Sequence, residues 1–329
     1  MRNYYGLLLC LLCIASCKFG SNEGETSSDT PATSTVTAPQ FNSDNAYAHV
    51  EKQLSFGPRV PGTKAQQQCA DWMIAELKKS CDTVYVQKTN VMQPVSSKVY
   101  PCINVIGSIN PQAQSRVLLL CHWDSRAMAD MDSNKANHSK AILAADDGAS
   151  GVAVLIEMAR AIKTQKLDIG VDILMADVED MGRSEWEKPG LESTYALGTR
   201  YWSRNPHLPG YKANYAICLD MVGARGAEFR LEQYSKQSAP DFQKKIWQTA
   251  SNLGYNNYFI FEDGGAITDD HVEVIKYAGI PSVDIINIPA ASTTGFAPHW
   301  HTMADNLSVI DKNTMRAVGQ TVLQVLYEY

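Results

Sequence analysis

Val117-Leu118-Leu119-Leu120-Cys121 runs directly into His122-Trp123-Asp124-Ser125-Arg126, an unbroken apolar run that delivers an imidazole and, two residues on, a carboxylate. A continuous run of this length is what a strand buried on both faces requires. Similar runs recur at residues 83–87, 104–109, 171–176, 215–221, 258–261 and 282–288, and segments with helical spacing separate them at 65–79, 151–164, 195–203, 241–253, 272–278 and 312–329. Strands alternating with helices predict an α/β fold: a mixed, mostly parallel central sheet with helices on both faces. In such sheets ligands bind beyond the carboxyl ends of the strands.

Those ends are where the chemistry-bearing residues fall. His122 follows the first quoted run, and Asp146-Asp147-Gly148-Ala149-Ser150-Gly151 opens a helix. The run 171–176 ends in Asp177-Val178-Glu179-Asp180, and the run from 215 ends in Asp220-Met221-Val222-Gly223. Acids at the end of a buried strand are costly unless paired, protonated or bound to a cation. Thr268-Asp269-Asp270-His271 precedes a helix, and His299-Trp300-His301 lies in a loop after the last strand. Each has a plainer reading by itself: His122 as a hydrogen-bonded core residue, Asp146-Asp147 and Asp269 as helix caps, Glu179 as a solvated acid, Trp300 as a core aromatic. Taken together, His122, Asp147, Asp180, Asp220 and His301 predict a metal site at the strand ends. Histidine and carboxylate donors without cysteine suit zinc with an open coordination position.

The start of the chain reads differently. Arg2, the apolar run 7–14 and Ala15-Ser16 before Cys17 have the pattern of an export signal over residues 1–16. Leu12-Cys13-Ile14-Ala15-Ser16-Cys17 resembles a lipobox, which predicts cleavage before Cys17 and a lipid on its thiol. The mature protein is then exported and lipid-anchored to a bacterial cell envelope, attached to the membrane without spanning it. Residues 17–42 read as a flexible tether, and 43–329 as one catalytic domain. With 29 basic and 35 acidic residues, a net charge of −6 and no dense basic cluster, nucleic acid is not an expected partner. Once Cys10, Cys13 and Cys17 are set aside, five cysteines remain, so at least one thiol is unpaired. Cys121 and Cys218 read as small buried hydrophobes, and a bridge between two of Cys69, Cys81 and Cys102 stays open. The polar stretch 130–140 reads as a surface loop.

Six motifs occur in a fixed order: His122-x-Asp124-Ser125, Asp147 to Gly151, Glu179-Asp180, Leu219-Asp220-Met221-Val222-Gly223-Ala224, Asp269-Asp270-His271, and Trp300-His301-Thr302-Met303-x-Asp305-Asn306. In this the chain resembles the animal-type glutaminyl-peptide cyclotransferases (glutaminyl cyclases), which are built on the zinc-aminopeptidase scaffold. The resemblance implies an enzyme that converts an N-terminal glutamine of peptides or proteins to pyroglutamate with release of ammonia. It implies one zinc held by Asp147, Asp180 and His301, Glu179 as general acid/base, and Asp220 and Asp269 in a carboxylate network behind it. Trp300, Phe296 and Trp186 match the aromatic pocket, and a monomer is expected. Asp180 stands where the family has Glu, one methylene longer. Cys121 faces Val152 where a vertebrate disulfide partner would be, so Cys121 is expected free. The competing reading is a two-zinc aminopeptidase, in which His122 and Asp220 complete a second metal site. Phe56-Gly57-Pro58-Arg59 is common to both groups and does not separate them.

Overall fold

A computed structural model describes residues 36–184, 187 and 193–329. The expected signal segment, Cys17, the tether up to residue 35 and Trp186 lie outside the described residues. The strands are β1 (Thr83–Met92), β2 (Val99–Ile109), β3 (Arg116–His122), β4 (Gly170–Ala176), β5 (Tyr215–Asp220), β6 (Phe229–Glu232), β7 (Phe259–Gly265) and β8 (Ser282–Ile286). The helices are α1 (Ser43–Leu54), α2 (Lys64–Leu77), α3 (Ala149–Thr164), α4 (Leu197–Arg204), α5 (Gln233–Ser238), α6 (Pro240–Asn252), α7 (Asp270–Glu273) and α8 (Lys312–Tyr327).

Six strands form the central sheet in the order β1-β2-β4-β3-β5-β8. β4, β3, β5 and β8 are parallel, and β1 and β2 add an antiparallel edge. The unbroken apolar runs are explained by burial on both sides. Leu119 and Cys121 join the larger core under α1, α2, α3, α6 and α8, while Leu118 and Leu120 face the smaller core with Trp202 of α4. Each such side chain contributes roughly 1.5–3 kcal/mol on burial. The predicted α/β class with helices on both faces is the observed one.

Several local expectations are corrected. β1 and β2 are longer than expected and pair from Thr83↔Ser108 to Met92↔Val99, forming an arm whose outer half is exposed on one face, at Lys88, Asn90 and Met92, and covered on the other, at Val91 and Cys102, so it lacks the unbroken apolar run of a strand buried on both faces. β7 does not join the central sheet; it pairs with β6, and a single bridge from Phe229 to Asn287 connects that ribbon to the end of β8. The packed chain begins before residue 43. Ala38 and Phe41 are buried, and their N–H groups donate to Gln324 Oε1 (3.1 Å) and Gln320 Oε1 (2.9 Å) of α8. Helix α1 had no sequence prediction. The Asn42 side chain caps it on the N–H groups of Asp44 and Asn45, and Gln53 Nε2 donates to Ala149 O at 2.9 Å, fixing the start of α3. The five cysteines among the described residues are free, so no bridge joins Cys69, Cys81 and Cys102, and Cys121 is the buried thiol expected. Burial pushes the Cys69 and Cys81 thiols up to about 12, which keeps them unreactive at neutral pH.

Candidate metal centre and active site

The predicted ligands converge. His122 closes β3, Asp220 closes β5, and Glu179-Asp180 follow β4; Asp147 comes from the turn that opens α3, and His301 from the loop between β8 and α8. Two glycines make the approach sterically feasible. Gly148 has φ +109°, and a Cβ there would lie 2.7 Å from the His122 ring. A Cβ on Gly151 would lie 2.5 Å from Leu219 O, so α3 can rest against β5 only because that side chain is missing. The sequence Asp147-Gly148-Ala149-Ser150-Gly151 is thus one steric device that presents a carboxylate.

Asp147, Asp180 and His301 bring one donor atom each within 4.8 Å of one another, and so do His122, Asp147 and Asp220. His301 Nε2 lies 3.2 Å from Asp180 Oδ1 and 3.8 Å from Asp147 Oδ2. His122 Nε2 lies 3.0 Å from Asp147 Oδ1 and 3.2 Å from Asp220 Oδ1. Asp147 therefore belongs to both groups. The donor set fits a divalent metal on a structural ground: Asp147 Oδ2 and Asp180 Oδ2 are buried oxygens that receive no hydrogen bond, and a buried anionic oxygen without a donor is stable only beside a cation or a proton. The shorter Asp180 side chain reaches this group despite the missing methylene.

The loops carrying the ligands are held by acids that sequence reading did not assign to the site. Asp124 accepts the N–H groups of Glu179 (3.0 Å) and Asp180 (3.1 Å), and Asp305 accepts those of Asp146 (2.8 Å) and Asp147 (3.1 Å). Asp130 Oδ1 lies 3.4 Å from His301 Nδ1 and accepts from Arg126 Nε at 2.6 Å, while Arg126 also donates to Asp180 Oδ1 at 3.1 Å. A carboxylate on the far nitrogen of a histidine fixes its tautomer and orientation. The stretch 130–140 is therefore more than a surface loop. Met131 N–H donates to His301 O (3.1 Å), and Asp132 Oδ2 accepts from Met303 N–H (3.0 Å). Buried Arg59 of the Phe56-Gly57-Pro58-Arg59 motif donates to the carbonyls of Trp123, Leu143 and Ala144, binding the loop after β3 to the segment before Asp147. Ala144, Val178, Met221 and His301 all have φ between 50° and 57°. Non-glycine residues in that region are strained, Val178 most of all because it is β-branched.

A cavity of about 500 Å³ opens onto the donor group, and Glu179, Asp220, Asp269, Phe296 and Trp300 line it. Trp300 stacks on the His301 ring with centroids 3.7 Å apart, and Phe296 packs on Trp300 at 4.5 Å. Both line the cavity; Trp186, the third aromatic expected there, is outside the described residues. Burial pushes the Glu179 carboxyl well above the usual range, with His122 opposing and Asp180 and Asp269 adding to the rise. Burial likewise raises Asp220 to about 8, against the lowering effect of its hydrogen bond with His122. Asp269 accepts from Cys218 Sγ at 3.3 Å and caps α7 through the Asp270 N–H. The three carboxyls thus face one cavity, and the charge of Asp269 acts on both Glu179 and Asp220. A strongly raised carboxyl beside a polar cavity is suited to carrying a proton near neutrality.

With this geometry established, three comparisons bear on it. The model of peptidase family M28 matches residues 104–326. Among solved structures, a Zn-dependent exopeptidase from Parabacteroides distasonis is 45% identical with a TM-score of 0.87, the similarity covering 89% of this chain and 100% of that one. The glutaminyl cyclase of Tannerella forsythia is 46% identical with a TM-score of 0.86, covering 88% and 100% respectively. The glutaminyl-peptide cyclotransferase of Bos taurus is 25% identical over 260 residues, a match covering 69% of this chain. That match spans 66% of the bovine protein's length. The M28 family and the zinc-exopeptidase neighbour both agree with zinc for the carboxylate and histidine donors.

Proposed function

The chain belongs to peptidase family M28, and from that membership we propose that it is a zinc-dependent glutaminyl cyclase, converting the N-terminal glutamine of peptides or proteins to pyroglutamate with release of ammonia. The observation that carries this reading is the stack of Trp300 on His301 at 3.7 Å, which sets an aromatic wall directly beside the donor group. The similarity to the Tannerella forsythia glutaminyl cyclase supports it. We assign one zinc to Asp147, Asp180 and His301. When bound, zinc supplies a Lewis acid for the oxygen of the glutamine side-chain amide.

The chain's own residues do the rest. Attack by the α-amine on the side-chain amide carbon forms the ring C–N bond and breaks the bond to the amide nitrogen. Glu179 takes the proton lost by the amine and delivers it to that departing nitrogen, which leaves as ammonia; no water is consumed. Its raised carboxyl is matched to both halves of that transfer. Trp300 and Phe296 hold the folded side chain against itself and exclude water that would hydrolyse the amide. Asp220 and Asp269, across the cavity, keep a proton close to Glu179 by charge.

A two-metal aminopeptidase is the second reading, favoured by the complete His122, Asp147 and Asp220 group. In it Glu179 takes a proton from an attacking water. Incubation of the protein with a Gln-initiated peptide and with an amino-acid anilide separates the two. Ammonia release from an otherwise intact peptide is the expected result; liberated amino acid and cleaved anilide would overturn the cyclase reading.

We further propose that the protein is exported, that Cys17 carries a lipid anchoring it to the bacterial cell envelope, and that it acts as a monomer. Nucleic acid is not a proposed partner. No helix among the described residues is long and apolar enough to cross a membrane. Loss of fatty-acid labelling in Cys17→Ala tests the anchor.

A further inference from the structure

Beside the active cavity lies a second one, also of about 500 Å³, and Ser193 lines both. Its walls come from the β1 arm at Met92, from α4 at Arg200 and Arg204, and from the turn after α7 at Lys276 and Tyr277. The two cavities have opposite charge. Asp147, Glu179, Asp180, Asp220 and Asp269 dominate the first, whereas the second has three cations and a single carboxylate, Glu273. Glu273 is already engaged, accepting Arg200 Nε at 2.8 Å and a second guanidinium N–H at 3.0 Å. Arg204 and Lys276 form no ion pair among the described residues. Both lean on the Tyr277 ring, the guanidinium carbon at 4.0 Å and the ammonium at 4.8 Å from its centroid. On a chain of net charge −6, two cations that are held at one tyrosine and have no carboxylate partner among the described residues attract an anion.

We propose that this second cavity is a subsite for an acidic side chain of the substrate peptide, downstream of its N-terminal residue. The inference rests on the peptide-processing reading of the first cavity. The acidic cavity suits the amino terminus, and the basic one suits a carboxylate further along the same chain. Adjoining spaces of this size have centres on the order of 10 Å apart, which an extended peptide crosses in about three residues. The acidic residue that matters is then the third to fifth.

The test compares kcat/KM of the full protein on Gln-initiated hexapeptides that carry Asp, Asn or Lys at positions three to five. The Asp peptides are expected to be favoured over the Lys peptides by about 5–10-fold at low ionic strength, mostly through KM, with the gap narrowing in about 0.5 M salt. In the double variant Arg204→Gln, Lys276→Gln the Asp-to-Asn ratio should fall towards one. Binding of the corresponding pyroglutamyl peptides should give the same ratio without turnover. Equal kcat/KM for the three series, or an unchanged ratio in the double variant, would overturn the subsite. Failure of the cyclase reading is a separate outcome: hydrolysis in place of ammonia release, with the acidic preference then read on the hydrolysed peptides.

Discussion

The Asp305 carboxylate accepts the backbone N–H of Asp147 at 3.1 Å, so the residue that donates to both metal groups is held by its main chain while its side chain stays available. Asp124 does the same for Asp180. The ligand loops are thus fixed by carboxylates outside both donor groups, and their removal can be told apart from removal of a ligand.

Asp305→Ala should lower zinc affinity by about 10–100-fold, the usual effect of losing a partner behind a ligand. Competition against a chelating dye measures it. Unchanged affinity in a folded variant would mean that the Asp146-Asp147 turn holds its shape unaided.

Glu179→Gln should keep its zinc and lose cyclisation by at least about 10²-fold, since the proton carrier is removed and the donors remain. Metal analysis and ammonia release on one sample are sufficient. Activity near that of the parent would remove Glu179 from the mechanism.

Asp220→Asn discriminates the two metal readings. With one zinc on Asp147, Asp180 and His301, the variant should retain about one equivalent while cyclisation drops. Loss of a full equivalent together with peptidase activity would place a second metal between His122 and Asp220.

Acid stability should depend on Glu232. Burial raises its carboxyl, but His271 at 3.2 Å and the N–H groups of Ser235 and Tyr234 overcome that and hold it down to about 2 from an ordinary 4.5. A folded value below the unfolded one stabilises above the unfolded value and is lost as pH falls from about 4.5 to about 2. The contribution is on the order of 3 kcal/mol. Urea unfolding of Glu232→Gln across that window should show a flatter pH dependence than the parent; an identical slope would contradict the assignment.

Arg59→Met should leave the Trp123 and Leu143 carbonyls without donors, at about 1–3 kcal/mol each, while Ala144 O keeps the Ala149 N–H at 3.3 Å. A fall of at least about 4 °C in melting temperature is expected for a domain of this size, and calorimetry reads it. A change within experimental error would mean that water replaces the guanidinium.

His122, Asp180 and Asp220 were legible because buried strands must shed their polar residues at or just past their ends, and acids or histidines there stand out against apolar runs; Asp147 and His301 stood out as an acid opening a helix and a histidine in the loop after the last strand. The residues that hold them were not. Asp124, Asp130 and Asp305 are acids close to ligands in sequence, and nothing in spacing distinguishes a carboxylate aimed at a metal from one aimed at an N–H group. The run 258–261 read as one more strand of the sheet, since periodicity reports burial but not which strand is the neighbour; it became β7 beside β6. Helix α1 escaped because only Ala46 and Val50 are apolar and buried on it, and several of its ties to α3 are polar: Gln53 to Ala149 O, and Asn42 and Asn45 to Glu157.

The left-handed backbone at Ala144, Val178, Met221 and His301 makes this centre a poor place to seek heat tolerance. Replacing Ala144 by glycine would relieve about 1–3 kcal/mol of strain for the loss of one buried methyl, about 0.8 kcal/mol, and a screen for melting temperature alone would reward it. The same change would free the two carboxyls that follow to adopt other directions. Natural drift is restrained there by chemistry and not by folding, so the positions where this protein is least comfortable are the ones where variants selected for durability alone would become inert.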